Sequence, residues 1–596
     1  MLTLKKVDVV IAGGGWTGLA TAKEITTRTA LEVVVLERGA ARSVSEYSAN
    51  MDEVDYSIRM RMLQNIAEET LTHRHTIRDT AAPVRQWGHA RIGTGTGGGG
   101  EHWAGVANRY PADTFVLATA LRERFGTAKL PEHLSVQDWA FTWNDIEPYY
   151  TRVEEMMGIG GKAGNIQGRK IEGGNIFEGP RSKEYPVGPH RKTGGMAQFE
   201  TAARQLGYHP YNRPAATLPF DYKNPDGIQR PACAYCGYCA MYGCMIGSKA
   251  QPTNLLMPIL RRRKSFTLRN GCWVRRIKHQ NGRAEGVVYM DSQGQEVFQP
   301  ADLVVAGAFT PNNVRLLLMS KIGVPYDPLT GQGTLGKNFT HQLSGGADLQ
   351  LIHKQPMGEG MRAGGQGMSV SDFDGFNGIE NETGILRGGT FTGGGGGSGL
   401  PIASFGAMPA GAAPRNWGSQ WKKATLEYHD RIAGAPTFEA EHLAYKHNYL
   451  DLDPTYTDKW GDPLLRTTID WTEHEQRVRA FAARVSAKMA REMAAVSGAK
   501  VIEGGGRGAG RRTGRYQTSA YATSHLHGGA IMGDSPANSV VNSYLQHWHL
   551  SNLWVVGASA FPQAGATNPT ITSLSITLRA CDALINRYLK HPGALA

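Results

Sequence analysis

The first forty residues constrain the fold more than any other stretch. Val7-Asp8-Val9-Val10-Ile11-Ala12 is a short apolar run of the kind buried in a parallel sheet, and it breaks at Gly13-Gly14-Gly15-Trp16-Thr17-Gly18. Helical sequence continues to about Arg28, and a second apolar run, Glu32-Val33-Val34-Val35-Leu36, ends on Glu37. Strand, glycine turn, helix and strand, with an acid about twenty residues after the turn, is the pattern of a dinucleotide site. Gly13 permits the tight turn, Gly15 lets a pyrophosphate approach the backbone, and Gly18 lets the helix pack closely on the strand. The helix N-terminus then faces the phosphates, and Glu37 is placed to accept hydrogen bonds from an adenosine ribose.

A chain of 596 residues is too long for one simple core, so two joined domains are expected. Residues 266–300 alternate in short β-like runs, 301–308 reads as another buried strand, and a helix follows near 313–319. Near the C-terminus, 552–559 reads as a buried strand and 571–589 has the apolar spacing of a helix. Pieces of one nucleotide-binding domain therefore lie at the start, middle and end. The expectation is an α/β fold: a Rossmann-like domain from 1–110, 227–340 and 513–596, with an α+β substrate domain inserted as 111–226 and 341–512. Glycine-rich segments at 388–399 and 504–510 read as flexible loops. The one at 93–100 differs, because Glu101-His102-Trp103 follows it directly.

No apolar stretch reaches the 18 residues of a membrane span, and Val7–Ala12 runs into glycines, not a signal-peptide cleavage site. The net charge of +12 comes from 64 basic against 52 acidic residues, scattered apart from short clusters at 261–264 and 511–512. No nucleic-acid motif accompanies them; a cationic surface suits acidic substrates, an anionic membrane surface or an acidic partner. Four of six cysteines, Cys233, Cys236, Cys239 and Cys244, fall within twelve residues. A disulfide framework would spread along the chain, so the group reads as a metal or iron–sulfur site, with a loop at 230–247. Its C-x2-C-x2-C-x4-C spacing has one residue more than the bacterial ferredoxin run, and Met245 stands in place of the proline. Structural zinc and plain buried thiols are the alternatives. No C-x-x-C-H haem motif occurs, so any haem belongs to another chain.

Taken together, 13–18 with Glu37, 93–105, the cysteine group, 306–318 and 525–568 resemble the glucose–methanol–choline (GMC) oxidoreductases nearly end to end. Within that family it looks like the flavoprotein subunit of the bacterial gluconate 2-dehydrogenase group. The resemblance implies FAD, held by Gly13, Gly15, Gly18, Glu37, Gly97, Gly98, His102, Trp103, Val274, Gly557 and Ala558. It implies a catalytic His525 in His525-Leu526-His527-Gly528-Gly529 and a partner Asn568 in Thr567-Asn568-Pro569, with His527 the lesser candidate. Hydride can leave a carbinol carbon for flavin N5 only if the hydroxyl proton also leaves, and neutral imidazole is a suitable base near pH 7. Asn568 would hold the hydroxyl and orient the C–H bond. The resemblance further implies covalent attachment of FAD through His102. It also implies a [3Fe–4S] cluster on Cys233, Cys239 and Cys244, with Cys236 spare. Electrons would leave singly to a membrane-anchored cytochrome c subunit on the periplasmic face of the inner membrane, a small twin-arginine subunit carrying the export signal. The implied substrate is a sugar, sugar acid or polyol, and the basic excess favours a carboxylated one such as gluconate. Two other readings are an oxygen-using sugar oxidase with structural cysteines and a non-catalytic flavin-bearing electron carrier; His525 and Asn568 argue against the second.

Overall fold

The apolar runs at the N-terminus become central strands of an eight-stranded sheet. The computed structural model describes residues 1–47, 70–84, 93–355, 357, 362–394, 411–415, 417–428, 431–504 and 524–595. In it Val7–Ala12 pairs in parallel with Val33–Leu36 on one side and with Glu296–Ala306 on the other. Phe266–Arg269 extends the sheet beyond Val33–Leu36, again in parallel. Every residue of Val33–Leu36, and all but Asp8 of Val7–Ala12, is buried, so these strands are continuously apolar and not alternating. The helices Trp16–Arg28 and Thr570–Ala583 pack on each other beside the sheet, joining the two ends of the chain.

Glu296–Ala306 does two jobs. Its first half pairs antiparallel with Arg283–Met290, which in turn pairs with Trp273–Gln280; its second half pairs in parallel with Val7–Ala12 and with Leu553–Val555. The strand expected at 301–308 is therefore the end of a longer one. The strand expected at 552–559 is only Leu553–Val555, because Gly557 turns to φ +97° and a 3-10 turn, Ala558–Ala560, follows. The helix expected at 571–589 runs as Thr570–Ala583 and continues as a π-helical turn, Leu584–Tyr588.

A second sheet is assembled from distant stretches in the order Leu343–Gly346, Thr437–Ala440, Gly389–Gly393, Met368–Val370, Pro210–Asn212, all antiparallel. Its register sorts side chains by face. Phe438, Phe391 and Val370 lie opposite one another and pack with Phe199, Phe481 and Met489 of the helices Gly194–Gln205 and Glu473–Ser497. The other face carries Glu439, Thr390, Thr392, Ser369 and Tyr211. The 388–399 segment is thus partly a buried strand, not a flexible loop. Glycine is required there by close packing: a Cβ on Gly389 would lie 2.1 Å from the Glu439 carbonyl oxygen, and one on Gly393 2.4 Å from the Phe199 ring. Residues 395–399, 505–510, Arg511 and Arg512 lie outside the described residues. A third sheet joins Thr72–Arg74 and Ala82–Pro83 to Tyr449–Thr457 and Pro463–Thr468, so an early segment is shared with the long insertion.

Candidate active site

The glycine turn sits at the carboxyl end of Val7–Ala12, where ligands of open α/β sheets bind. Gly13 has φ +107°, and a Cβ there would lie 2.5 Å from the Gly307 carbonyl oxygen. A Cβ on Gly18 would lie 2.0 Å from the Gly13 carbonyl oxygen, so close helix–strand packing excludes one. At Gly15 the nearest atom to such a Cβ is the Gly97 carbonyl oxygen at 3.8 Å, which leaves the surface over the turn open. A cleft opens over it, lined by Gly13, Gly15, Glu37, Gly98, Trp273 and Val274 among others. These residues fit the nucleotide half of FAD. Glu37 also does something the sequence did not suggest: its carboxylate accepts hydrogen bonds from the backbone N–H of Gly14 (2.8 Å), Gly39 (2.8 Å) and Gly95 (3.2 Å). It ties three glycine-bearing turns together as well as facing the cleft. Gly557 and Ala558 lie behind the turn, with a Cβ on Gly557 3.5 Å from the Thr17 side chain.

The second glycine segment lies directly on the first. Gly97 N–H donates to the Gly14 carbonyl (2.8 Å), and Gly97 and Gly98 take φ +93° and +54°. A one-turn helix, Gly99–His102, follows. His102 Nδ1 lies 3.1 Å from the Met241 carbonyl oxygen. A carbonyl can only accept, so Nδ1 carries the hydrogen and Nε2 the lone pair. Burial pushes His102 down to about 4, so the ring is neutral at ordinary pH. Trp103 donates its indole N–H to the Ala250 carbonyl (2.7 Å) and meets Trp16 edge-on at 6.0 Å.

His525 and Asn568 meet, as the motif required: Asn568 Nδ2 stands 3.3 Å from His525 Nε2. On its far side His525 Nδ1 hydrogen-bonds Gln342 Oε1. Gln342 Nε2 donates to the Ala566 carbonyl (3.1 Å), which turns its oxygen toward the histidine. Nδ1 is therefore the protonated nitrogen, and the Nε2 lone pair accepts from Asn568 Nδ2–H. Asn568 Oδ1 is buried and has no hydrogen-bond partner among the described residues, an acceptor suited to a substrate hydroxyl. Behind them, Gln342 also bonds Glu439 on the polar face of the second sheet. The pair lies near the carboxyl end of Glu296–Ala306, since Thr310, which opens the next helix, donates to the Leu526 carbonyl (2.7 Å). His527 is fully buried and stacked on Phe561 at 5.3 Å; burial drives it well below the usual histidine range. It is a neutral core residue.

The four cysteines of the group lie in one loop. Cys233, Cys236, Cys239 and Cys244 are all free thiols, yet among the described residues no three histidine, cysteine, aspartate or glutamate side chains form a ready metal cage. Two of the sulfurs take backbone hydrogen bonds: Cys233 Sγ accepts from Tyr235 N–H (3.3 Å) and Cys244 Sγ from Lys249 N–H (3.5 Å). Cys239 is buried and Cys236 is exposed. The donor chemistry fits an iron–sulfur group, since backbone N–H bonds to sulfur are common around such clusters, but the ligand geometry is not closed. Cys272 and Cys581 are buried apart from the loop.

The residues missed by sequence reasoning are Gln342, Glu439 and Lys249. None belongs to a motif, and each acquires its role only from segments brought together by folding.

Family models described as GMC oxidoreductase match residues 135–344 and 444–577. The chain is 38% identical to the gluconate 2-dehydrogenase flavoprotein of Pantoea cypripedii, over 99% of this chain and 95% of that one. It is 24% identical to the fructose dehydrogenase large subunit of Gluconobacter japonicus, over 97% and 98%. Among solved structures, pyridoxine 4-oxidase from Mesorbium loti shares the fold with a TM-score of 0.61 at 15% identity, covering 99% of this chain and 100% of that one. The chain belongs to the GMC oxidoreductases, FAD-binding enzymes that oxidise CH–OH groups.

Proposed function

We propose that the protein is a dehydrogenase for a sugar acid, sugar or polyol, with an aldonate such as gluconate first among them. The observation that carries this is the His525–Asn568 pair, with a lone pair on His525 Nε2 and an unpartnered acceptor on Asn568 beside it. Asn568 Oδ1 accepts the substrate hydroxyl hydrogen and holds the carbinol in place; His525 Nε2 then takes that proton. Bound FAD supplies the hydride acceptor. The polar face bearing Glu439, Thr390 and Thr392 suits a polyhydroxylated substrate, and the full-length likeness to the Pantoea flavoprotein favours an aldonate.

His102 is proposed to bond the flavin through Nε2, the nitrogen left with a lone pair by the Met241 contact. Thiolates of Cys233, Cys239 and Cys244, with Cys236 spare, are proposed to hold an iron–sulfur cluster, whose contribution when bound is one-electron transfer outward. A small twin-arginine subunit and a membrane-anchored cytochrome c on the periplasmic side complete the proposal. Among the described residues no helix is long and apolar enough to cross a membrane.

The test is anaerobic mixing of the purified flavoprotein with a panel of aldonates, polyols and aldoses, followed by either an artificial acceptor or oxygen. Flavin bleaching by an aldonate, fast reoxidation by the acceptor and slow reoxidation by oxygen are expected. Rapid peroxide release would favour an oxidase instead. His525→Ala should slow flavin reduction by roughly 10²–10⁴.

A further inference from the structure

Lys249 is fully buried, and among the described residues its ammonium touches no carboxylate. Its Nζ donates to four main-chain carbonyls, those of Glu101 (3.0 Å), Trp103 (2.9 Å), Cys239 (2.8 Å) and Tyr242 (2.7 Å). An ammonium has three hydrogens, so all are used and one is shared. The four carbonyls come from two loops, and they bracket one contact. Glu101 and Trp103 flank His102; Cys239 and Tyr242 flank the Ala240–Met241 step. Between them His102 and Met241 exchange two hydrogen bonds, Met241 N–H to the His102 carbonyl (2.7 Å) and His102 Nδ1–H to the Met241 carbonyl (3.1 Å).

An ammonium buried without a carboxylate partner is expensive to desolvate, and such groups persist where they fix geometry. The adjacent Glu101 carboxylate does not pair with it. That carboxylate is taken by Gln251 (2.5 Å), the Thr253 hydroxyl (2.8 Å) and Thr253 N–H (3.1 Å), which hold the same short helix from its other side. Lys249 is thus committed to main-chain carbonyls on both loops.

We propose that Lys249 is a positioning residue that staples the cysteine loop to the His102–Trp103 segment and thereby sets the tautomer and orientation of His102. The flavin part of this rests on the reading that His102 contacts the flavin; the staple does not. Burial works against the charged form of Lys249, but four carbonyl acceptors call for all three ammonium hydrogens, so a positive charge stands between the His102 segment and the cysteine loop, where it favours added electrons on either side. A second consequence is that the cysteine loop is not free to rearrange independently of His102.

The experiment uses the full-length holoprotein as wild type, Lys249→Met and Lys249→Gln, with Lys23→Met as control for loss of a buried lysine elsewhere. Lys23 pairs with Asp226 (2.7 Å) on the N-terminal helix. In the wild type, hydrogen exchange should show segments 99–104 and 238–244 opening as one unit with the Met241 amide slow; independent opening overturns the staple, whatever the variants do. In Lys249→Met both segments should exchange faster together, by roughly tenfold or more at Met241, the scale of a lost charge-assisted hydrogen bond. Lys249→Gln keeps two N–H donors and should be intermediate, which keeps the test open should the methionine variant fail to accumulate. Acid-stable flavin should fall in both variants, and the flavin midpoint potential should drop, while Lys23→Met changes neither. If wild-type flavin proves dissociable in acid, the His102 bond is refuted, and the Met241 amide and the potential still decide the role of Lys249. Unchanged Met241 exchange and unchanged potential in Lys249→Met overturn it.

Discussion

At the residue scale, the chemistry depends on which nitrogen of a histidine holds its proton, and neighbours decide that. In the proposed mechanism His525 uses Nε2 as the base because Gln342 takes the Nδ1 hydrogen, and Gln342 faces the right way because its amide N–H is held by Ala566. The first prediction follows. Gln342→Leu removes the acceptor, lets the ring populate the other tautomer, and should slow flavin reduction by about tenfold or more, the worth of one such hydrogen bond. Single-turnover stopped-flow with the best substrate measures it, and FAD content should stay at the wild-type level. A rate unchanged within twofold would show that Asn568 alone orients the ring. In the sequence His525 and Asn568 were legible because they sit in short local motifs. Gln342 was not, because a glutamine becomes informative only when a strand 183 residues away is folded against it.

At the element scale, the glycine turn separates two demands that the sequence merges into one motif. Gly18 serves the fold and Gly15 the ligand, and two substitutions can tell them apart. Gly18→Ala places a Cβ 2.0 Å from the Gly13 carbonyl oxygen, so it should destabilise the apoprotein by about 1–3 kcal/mol, the usual cost of overpacking. Gly15 has φ −88°, which alanine tolerates, and beyond its chain neighbours the nearest described atom to the added Cβ is the Gly97 carbonyl oxygen at 3.8 Å. Gly15→Ala should therefore leave the apoprotein melting temperature unchanged and weaken FAD retention, read from flavin absorbance after gel filtration. Equal effects of both on the apoprotein would argue against a phosphate-approach role for Gly15. The strand–turn–helix–strand unit was legible because its parts are adjacent in sequence. The second sheet was not: its strands are three to five residues long and scattered from Pro210 to Ala440, and Gly389–Gly393 carries the composition of a loop. What makes it a strand is Phe391 reaching the Phe199–Phe438–Phe481 core, a contact no local window contains.

At the scale of the whole molecule, buried titratable groups set the pH dependence of stability, and two kinds of group pull it in opposite directions between pH 4 and 7. Asp374 lowers stability as pH rises. One buried cation, Arg387, is shared by Asp113 and Glu441, and Asp374 is the surplus acid in that cluster. Burial, reinforced by the charge of Glu441, raises Asp374 to about 7. A carboxyl raised in the fold contributes stability that is full below its unfolded value near 4 and is lost as pH rises through 7, worth about 4 kcal/mol at most. Asp374→Asn keeps an acceptor for the Gly375 N–H and removes the titration, so it should raise the melting temperature at pH 8 and leave it unchanged at pH 4. Buried histidines pull the other way. His102, His190, His341 and His547 are lowered to about 4 and His442 to about 3, burial being the main cause in each. A lowered histidine works with the opposite sign: its stability is complete above the unfolded value near 6.5 and is lost as pH falls through the folded one, because the unfolded chain takes up the protons first. Five such groups outweigh one aspartate, so the melting temperature should fall steeply between pH 6.5 and 4 and change little from 6.5 to 8. Proton uptake on unfolding at pH 5, obtained from the slope of stability against pH, should approach several protons per chain. His442→Asn, placed beside His341 at the centre of the buried histidine group, should flatten that slope by close to one proton; a slope unchanged by the substitution would place the acid sensitivity in the carboxylates instead.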